Sequence, residues 1–408
     1  MPVTFQHHVL PNGLTLIAEV NPDAHTAAVG FFVKAGTRDE ALSVMGVSHF
    51  LEHMMFKGTA RRSADDVNRE FDEIGANYNA YTSHEQTVYY AHVLPEYLVR
   101  AVDLLGDMLR PALRQEDFDM EKNVILEEIS MYDDRPTWRM QDALMEDHFG
   151  THPLGYRVLG TEASIQALTA DQMRTYFDHR YSPDNIVVSA AGNLDFDALV
   201  AQVTALAGDW PSTGASRDYA TPTIAGVDRT LEDAKVSRHY MGLMCPAPSA
   251  QDELRYAAKI LADILGDAEG SRLYWALVDP GLADEADFSF VPYDQTGAYL
   301  GYASCDPDRA SQVQAVWQKT LNDLPGSITD DELDRAKNKL ATGATLQGER
   351  PDGRMRSMGS QWTYQGQYWP LDEELARLTA VTCADLATIL EQYPLTRQTL
   401  LRLTPASP

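Results

Sequence analysis

Cysteine is scarce in this 408-residue chain: only Cys245, Cys305 and Cys383 occur, far apart and odd in number. No Cys-x-x-Cys pair is present, so neither a disulfide framework nor a thiolate zinc site is indicated, and a reducing compartment fits. Long apolar runs are missing too. No stretch approaches the roughly 18 uninterrupted apolar residues of a membrane helix. The start, Met1-Pro2-Val3-Thr4-Phe5-Gln6-His7-His8, has neither the basic nor the apolar region of an export signal. The expectation is a cytoplasmic protein without membrane contact. Positive charge is the third shortage, with 33 Lys and Arg against 60 Asp and Glu and a formal net charge of −27. Phosphate binding needs a positive surface, so no nucleic-acid partner is expected. The surplus of acid serves solubility, and an acidic interior that attracts basic peptides is the functional alternative.

What remains reads as an ordinary globular protein, 44% hydrophobic and 23% charged. Its length suggests two domains. Pro11-Asn12-Gly13 is a turn signal leading into a strand from Leu14 to Val20, and a second strand runs from Ala27 to Val33. Helical periodicity follows over Ser48–Phe56, Ser63–Ile74, Tyr97–Leu109 and Phe118–Met131, with paired strands at 79–82 and 87–93. There is no regular βαβ rhythm, so an α+β fold is expected. Gly, Pro, Ser and Thr gather near the midpoint, marking a linker at about 211–221 between domains 1–210 and 222–408. Leu168-Thr169-Ala170-Asp171-Gln172-Met173 is echoed 213 residues later by Val381-Thr382-Cys383-Ala384-Asp385-Leu386; each precedes a helix and then a strand. The expected architecture is therefore two related halves, each a mostly antiparallel sheet with helices packed on one face.

The sharpest chemical signal is His49-Phe50-Leu51-Glu52-His53. On a helix these histidines and Glu52 fall at about 0°, 40° and 300°, so they share one face. Two imidazoles one turn apart can hold one zinc ion. Glu52, beside them, can accept a proton from metal-bound water. A solvated helix face with incidental polar residues is the plain alternative, and a third ligand decides between them. Glu121 and Glu128 lie two turns apart on one face of a later helix, whereas Glu127 points away. Carboxylates on an otherwise apolar face need metal or hydrogen bonds to offset burial. Glu128 is the expected ligand, and Glu121 the group that orients a histidine.

On these residues the chain resembles the inverted-motif zinc peptidases, the family of pitrilysin, insulin-degrading enzyme and the β subunit of mitochondrial processing peptidase. The resemblance runs nearly end to end. It includes Leu10-Pro11-Asn12-Gly13-Leu14, the His49–Met54 segment with Phe56-Lys57-Gly58-Thr59, and Gly75-Ala76-Asn77-Tyr78-Asn79-Ala80-Tyr81-Thr82 with Glu85. His152-Pro153-Leu154-Gly155, Leu159-Gly160-Thr161 and Tyr181-Ser182-Pro183-Asp184-Asn185 also match, and Glu128 follows His53 by the 75 residues expected of the third ligand. The resemblance implies a Zn2+ cofactor and a metalloendopeptidase acting on unfolded peptides inside a dimer-enclosed chamber. It also implies that Asn79, Ala80 and Tyr81 form an edge strand on which the substrate pairs. One departure stands out. Relatives carry an Arg and a Tyr in a setting like Arg-x-x-x-Gly-Leu-Ala-Tyr, whereas this chain has Val278-Asp279-Pro280-Gly281-Leu282-Ala283-Asp284, without the Arg and with Asp284 in place of Tyr. Arg272 precedes the stretch and does not replace it. The alternative is therefore a zinc-binding or scaffold subunit that is inactive until a homologous subunit supplies the pair in a heterodimer. Arg350, Arg354 and Arg356 form a basic cluster expected on a solvated loop, with contact to substrate as the alternative, and Trp362-Thr363-Tyr364 is expected in core or interface.

Overall fold

The computed structural model describes residues 3–267 and 269–406. They form two compact units that are not consecutive halves. The first contains the residues up to Ser130, Tyr156–Asp218 and Leu346–Trp369; the second contains Met131–Gly155, Tyr219–Thr345 and the residues from Pro370 on. Each unit thus takes one segment from the other side of the chain midpoint, which the expected split at about 211–221 does not describe. Polar–apolar periodicity places a helix but does not say which sheet it will cover.

The first unit is built on six strands: β1 (Thr4–Val9), β2 (Thr15–Val20), β3 (Ala27–Val33), β4 (Asn77–Thr82), β5 (Thr87–Val93) and β6 (Ile186–Gly192). Their order is β1-β2-β6-β3-β5-β4, antiparallel except for β2 beside β6. The central β3 is buried along its whole length and divides its side chains by parity. Ala27, Val29, Phe31 and Val33 enter the main core with Phe50, Leu51, Met54 and Met55 of the Val47–Met55 helix. Each such large apolar side chain contributes roughly 1.5–3 kcal/mol on full burial. Ala28 and Phe32 face the other way, where the Pro351–Gln365 helix lays Met355 and Met358 over them.

The second unit repeats this plan without an equivalent of β1. Strands β7 (Asp228–Asp233), β8 (His239–Pro246), β9 (Glu285–Tyr293), β10 (Thr296–Cys305) and β11 (Thr399–Pro405) are ordered β7-β11-β8-β10-β9, with β7 parallel to β11. Its back face is covered by Met140 and Leu144 of the Pro136–Phe149 helix, the segment that arrives from the first half of the chain. The internal echo has a structural counterpart. Thr169 and Thr382 each cap a helix by accepting the amide three residues on, and Gln172 and Asp385 return the bond. The fold is α+β in two related halves. In each half most helices lie on one face of the sheet, and one helix lies on the other.

Arg354 does not lie on a solvated loop. It sits within the Pro351–Gln365 helix and pairs with buried Glu19, while Arg356 lies over the Tyr90 ring at 4.0 Å. Burying a guanidinium against a carboxylate is tolerable because the pair compensates its own charge, an option that a count of nearby arginines does not disclose. Trp362 packs with Phe5 and His7. Among the described residues no helix is long and apolar enough to cross a membrane.

Candidate metal centre

The Val47–Met55 helix begins without a side-chain cap of its own. Gly46 takes a left-handed conformation, φ 91°, and a Cβ there would stand 2.7 Å from the Leu159 carbonyl oxygen. The free amides of Gly46 and Ser48 donate instead to the buried carboxylate of Glu40, at 2.7 and 2.8 Å. This satisfies two of the orphan donors of the first turn at the positive end of the helix. Ser48 Oγ also shares a hydrogen bond of 2.7 Å with the Tyr176 hydroxyl. The helix is thereby fixed at its start, and His49, Glu52 and His53 leave it on the side facing the Gln115–Asp133 helix and β4.

His49 and His53 stand with ring centroids 4.7 Å apart. Glu128 reaches between them, its Oε2 lying 3.9 Å from His49 Nε2 and 3.6 Å from His53 Nε2. Among the described residues this is the one group of three His, Cys, Asp or Glu whose ligand atoms converge within 4.8 Å. Tetrahedral ligands about 2.1 Å from one ion stand roughly 3.4 Å from each other, close to these separations. Two imidazoles and one carboxylate are also the donor set of an open, three-ligand zinc site. The residues fit the metal.

The surrounding groups are arranged to suit. Glu121 lies against His53, its Oε1 2.9 Å from Nδ1, and its other oxygen pairs with Lys57 at 2.5 Å. A carboxylate on Nδ1 fixes the tautomer that turns Nε2 toward Glu128. Glu127 is exposed; on the stretch between Glu121 and Glu128, Ile125 is buried while Val124 is open to solvent. Burial, and then the neighbouring His53, pull the His49 imidazole down to about 3, so it stays neutral and able to ligate. Burial also lowers His53, but the Glu121 hydrogen bond and the charges of Glu128 and Glu52 outweigh it and raise the ring. Burial raises both Glu52 and Glu128.

Glu52 does not converge with the three. Its Oε2 accepts a 2.7 Å hydrogen bond from Thr82 Oγ1 at the end of β4. Thr82 was not singled out from the sequence, although strand parity from Ala80 puts the two on one face. Glu40 gave no signal, because nothing local marks a carboxylate that caps a helix seven residues on. Asn79, Ala80 and Tyr81 lie on β4, which is an edge strand bonded to β5 alone. The Ala80 amide is held by the Asn79 side chain at 2.8 Å. Further along the chain, Asp284 pairs with Arg238, and Arg272 is engaged by Glu332 at 2.7 Å.

Residues 15–162 match the family described as Insulinase (Peptidase family M16), and residues 167–340 match the Peptidase M16 inactive domain. A Mycobacterium bovis protein named uncharacterized zinc protease is 35% identical over 392 residues, covering 93% of this chain and 88% of its own length. The chain belongs to peptidase family M16. A Bacillus subtilis protein, also named uncharacterized zinc protease, is 32% identical and covered to 92% on both sides. In fold, the M16 chain is similar to a protease from Helicobacter pylori, with TM-score 0.89 and 20% identity over 99% of this chain and 100% of that one.

Proposed function

We propose that this M16 protein is a zinc metalloendopeptidase subunit that hydrolyses peptide bonds of unfolded peptides. In this reading His49, His53 and Glu128 hold the ion and Glu52 is the general base. The convergence of three ligand atoms within 4.8 Å, beside a fourth carboxylate held apart by Thr82, carries it. A zinc ion bound there supplies Lewis acidity that activates water near neutral pH. The protein's own groups do the rest. Thr82 engages one oxygen of Glu52 and leaves the other to take the proton of the attacking water. Glu121 keeps His53 in one tautomer. The β4 edge at Asn79, Ala80 and Tyr81 receives the substrate backbone as an added strand, with the Asn79 side chain giving up the Ala80 amide. A dimer encloses the chamber. A cytoplasmic setting is supported by the three free cysteines.

A second reading is favoured by Asp284. Where relatives have a tyrosine, this carboxylate is tied to Arg238. A homologous partner would then bring the Arg/Tyr pair, and this chain would turn over substrate only in the heterodimer. An oxyanion donor is typically worth about 10²–10³ in rate, so the difference is measurable. The test joins metal analysis, native mass and fluorogenic-peptide assays on wild type and Glu52→Gln. The primary reading expects one zinc per chain, chelator-sensitive turnover, and a loss of about 10²–10⁴ in Glu52→Gln with zinc retained. Full activity in Glu52→Gln would overturn it. Zinc without turnover until a partner is added would select the second reading.

A further inference from the structure

Between Trp210 and Asp218 the chain has no helix or strand, yet it is tied down along the first unit. Thr213 donates to Ser182 Oγ and to the His179 carbonyl, Gly214 to Asp184, and the Ser216 carbonyl accepts from Arg180 at 2.7 Å. The strap ends in Arg217, whose side chain is 4% exposed. Its guanidinium takes both oxygens of Asp39, at 2.8 and 3.0 Å, and the Glu85 carbonyl at 2.5 Å. Arg38 pairs with Glu85 at 2.6 Å and Arg180 with Asp39 at 2.7 Å, so three arginines enclose two carboxylates.

These two acids stand at the base of the metal centre. Asp39 lies in the short turn Thr37–Asp39, and the next residue, Glu40, holds the start of the Val47–Met55 helix. Glu85 lies in the tight turn between β4 and β5, three residues after Thr82. The two turns touch so closely that a Cβ on Gly36 would fall 2.4 Å from the Ser83 carbonyl oxygen. One turn carries the helix of Glu52 and the other carries Thr82, and Arg217 bridges both.

We propose that Arg217 is a positioning residue for the peptidase site, fixing the β4–β5 turn against the Thr37–Glu40 turn so that Thr82 meets Glu52. The proposal rests on the peptidase reading above. Removing the guanidinium leaves Arg38 with Glu85 and Arg180 with Asp39, each acid still paired, so the fold survives while the bridge is lost. A 1 Å misplacement at a reacting group can cost about 10²-fold in rate.

The test uses the full chain as Arg217→Met, Arg217→Lys, Thr82→Val and the Arg217→Met/Thr82→Val double variant. We expect kcat to fall about ten- to a hundredfold in each of Arg217→Met and Thr82→Val, with zinc content kept and KM changed less than about threefold. The double variant should be no worse than about threefold below the poorer single one, because both act through the same contact. Arg217→Lys should recover part of the loss. Unchanged kcat in Arg217→Met, or losses that multiply in the double variant, would overturn the proposal. Amide hydrogen exchange separates its failure from failure of the peptidase reading. Arg217→Met should speed exchange over Asn77–Thr82 about tenfold and leave Ala27–Val33 unchanged, whether or not wild type cleaves peptides. Equal exchange in both segments would overturn the positioning role even in an active enzyme.

Discussion

Replacing Arg354 by Met should destabilise the first unit more than any surface change. The Arg354 guanidinium forms two hydrogen bonds with Glu19, whose carboxylate also accepts from the Tyr368 hydroxyl at 2.7 Å. Both charged side chains are under 10% exposed. Methionine fills the volume of the aliphatic stem but leaves Glu19 charged, enclosed and with Tyr368 as its remaining donor. Breaking a buried pair in this way typically costs about 3–5 kcal/mol. In a unit of this size 1 kcal/mol moves the melting temperature by about 2–4 °C, so a fall of roughly 6–20 °C is expected. The assay is thermal and urea unfolding of the full chain, with Glu19→Gln/Arg354→Met alongside. That double variant removes both charges and should regain most of the loss. If Arg354→Met costs under about 1 kcal/mol, or the double variant is as unstable as the single, the pair is not the clamp that holds the Pro351–Gln365 helix to β2.

Glu121→Gln should weaken zinc binding by about 10–100-fold, read by competition with a chromophoric chelator, because an amide orients His53 less firmly than a carboxylate does. Burial pushes Glu40 up to about 7, against the Ser48 and Gly46 hydrogen bonds that favour its charged form. Its folded value exceeds the unfolded one of about 4.5, so its stabilising share is complete below pH 4.5 and is lost as pH rises through 7, up to about 3 kcal/mol. Urea midpoints of Glu40→Gln between pH 5 and 8 should therefore fall less steeply than those of wild type; parallel curves would contradict this. A fragment ending at residue 218 lacks the Pro351–Gln365 helix, so Phe32 and Val187 are uncovered and Glu19 loses Arg354. It should aggregate or bind a hydrophobic dye, and adding residues 346–369 as a peptide should suppress the signal. A monomeric, cooperatively folded fragment would refute the dependence.

The chemistry was the most legible part of the sequence because its residues are local. His49, Glu52 and His53 are bound to one helix face by the 3.6-residue repeat alone, and two turns of a second helix align Glu121 with Glu128. The strands of the first sheet were also readable, since β3 and β5 are runs of branched and aromatic residues bounded by turns. What escaped was whatever depends on contacts distant in sequence. Glu40 caps a helix across six residues and Arg217 reaches Asp39 across 178, and neither separation leaves a periodic trace. The exchange of the Pro136–Phe149 and Pro351–Gln365 helices escaped for the same reason: each buries a few apolar side chains such as Met140, Leu144, Met355 and Met358, and the sequence does not name what buries them.

A motif that can be read from one helix still needs its second helix and its edge strand brought within about 4 Å, and no local rule supplies that precision. Here it is supplied by buried charge. Glu40 fixes the start of the motif helix, Arg38 and Glu85 fix the turn beside Thr82, and Lys57 and Glu121 join the motif helix to the helix of Glu128. Charged pairs are poor sources of net stability when enclosed, since desolvation offsets most of their attraction. They are strict about geometry, because a misplaced partner leaves a bare charge inside the protein. An apolar packing at these positions could match the stability while tolerating sliding of the helix against β4. The cluster of ion pairs beneath the metal centre is therefore better understood as alignment than as adhesion. Paired substitutions that remove both charges at once should therefore change turnover more than they change unfolding, whereas removing one partner alone should destabilise here as it does at Arg354.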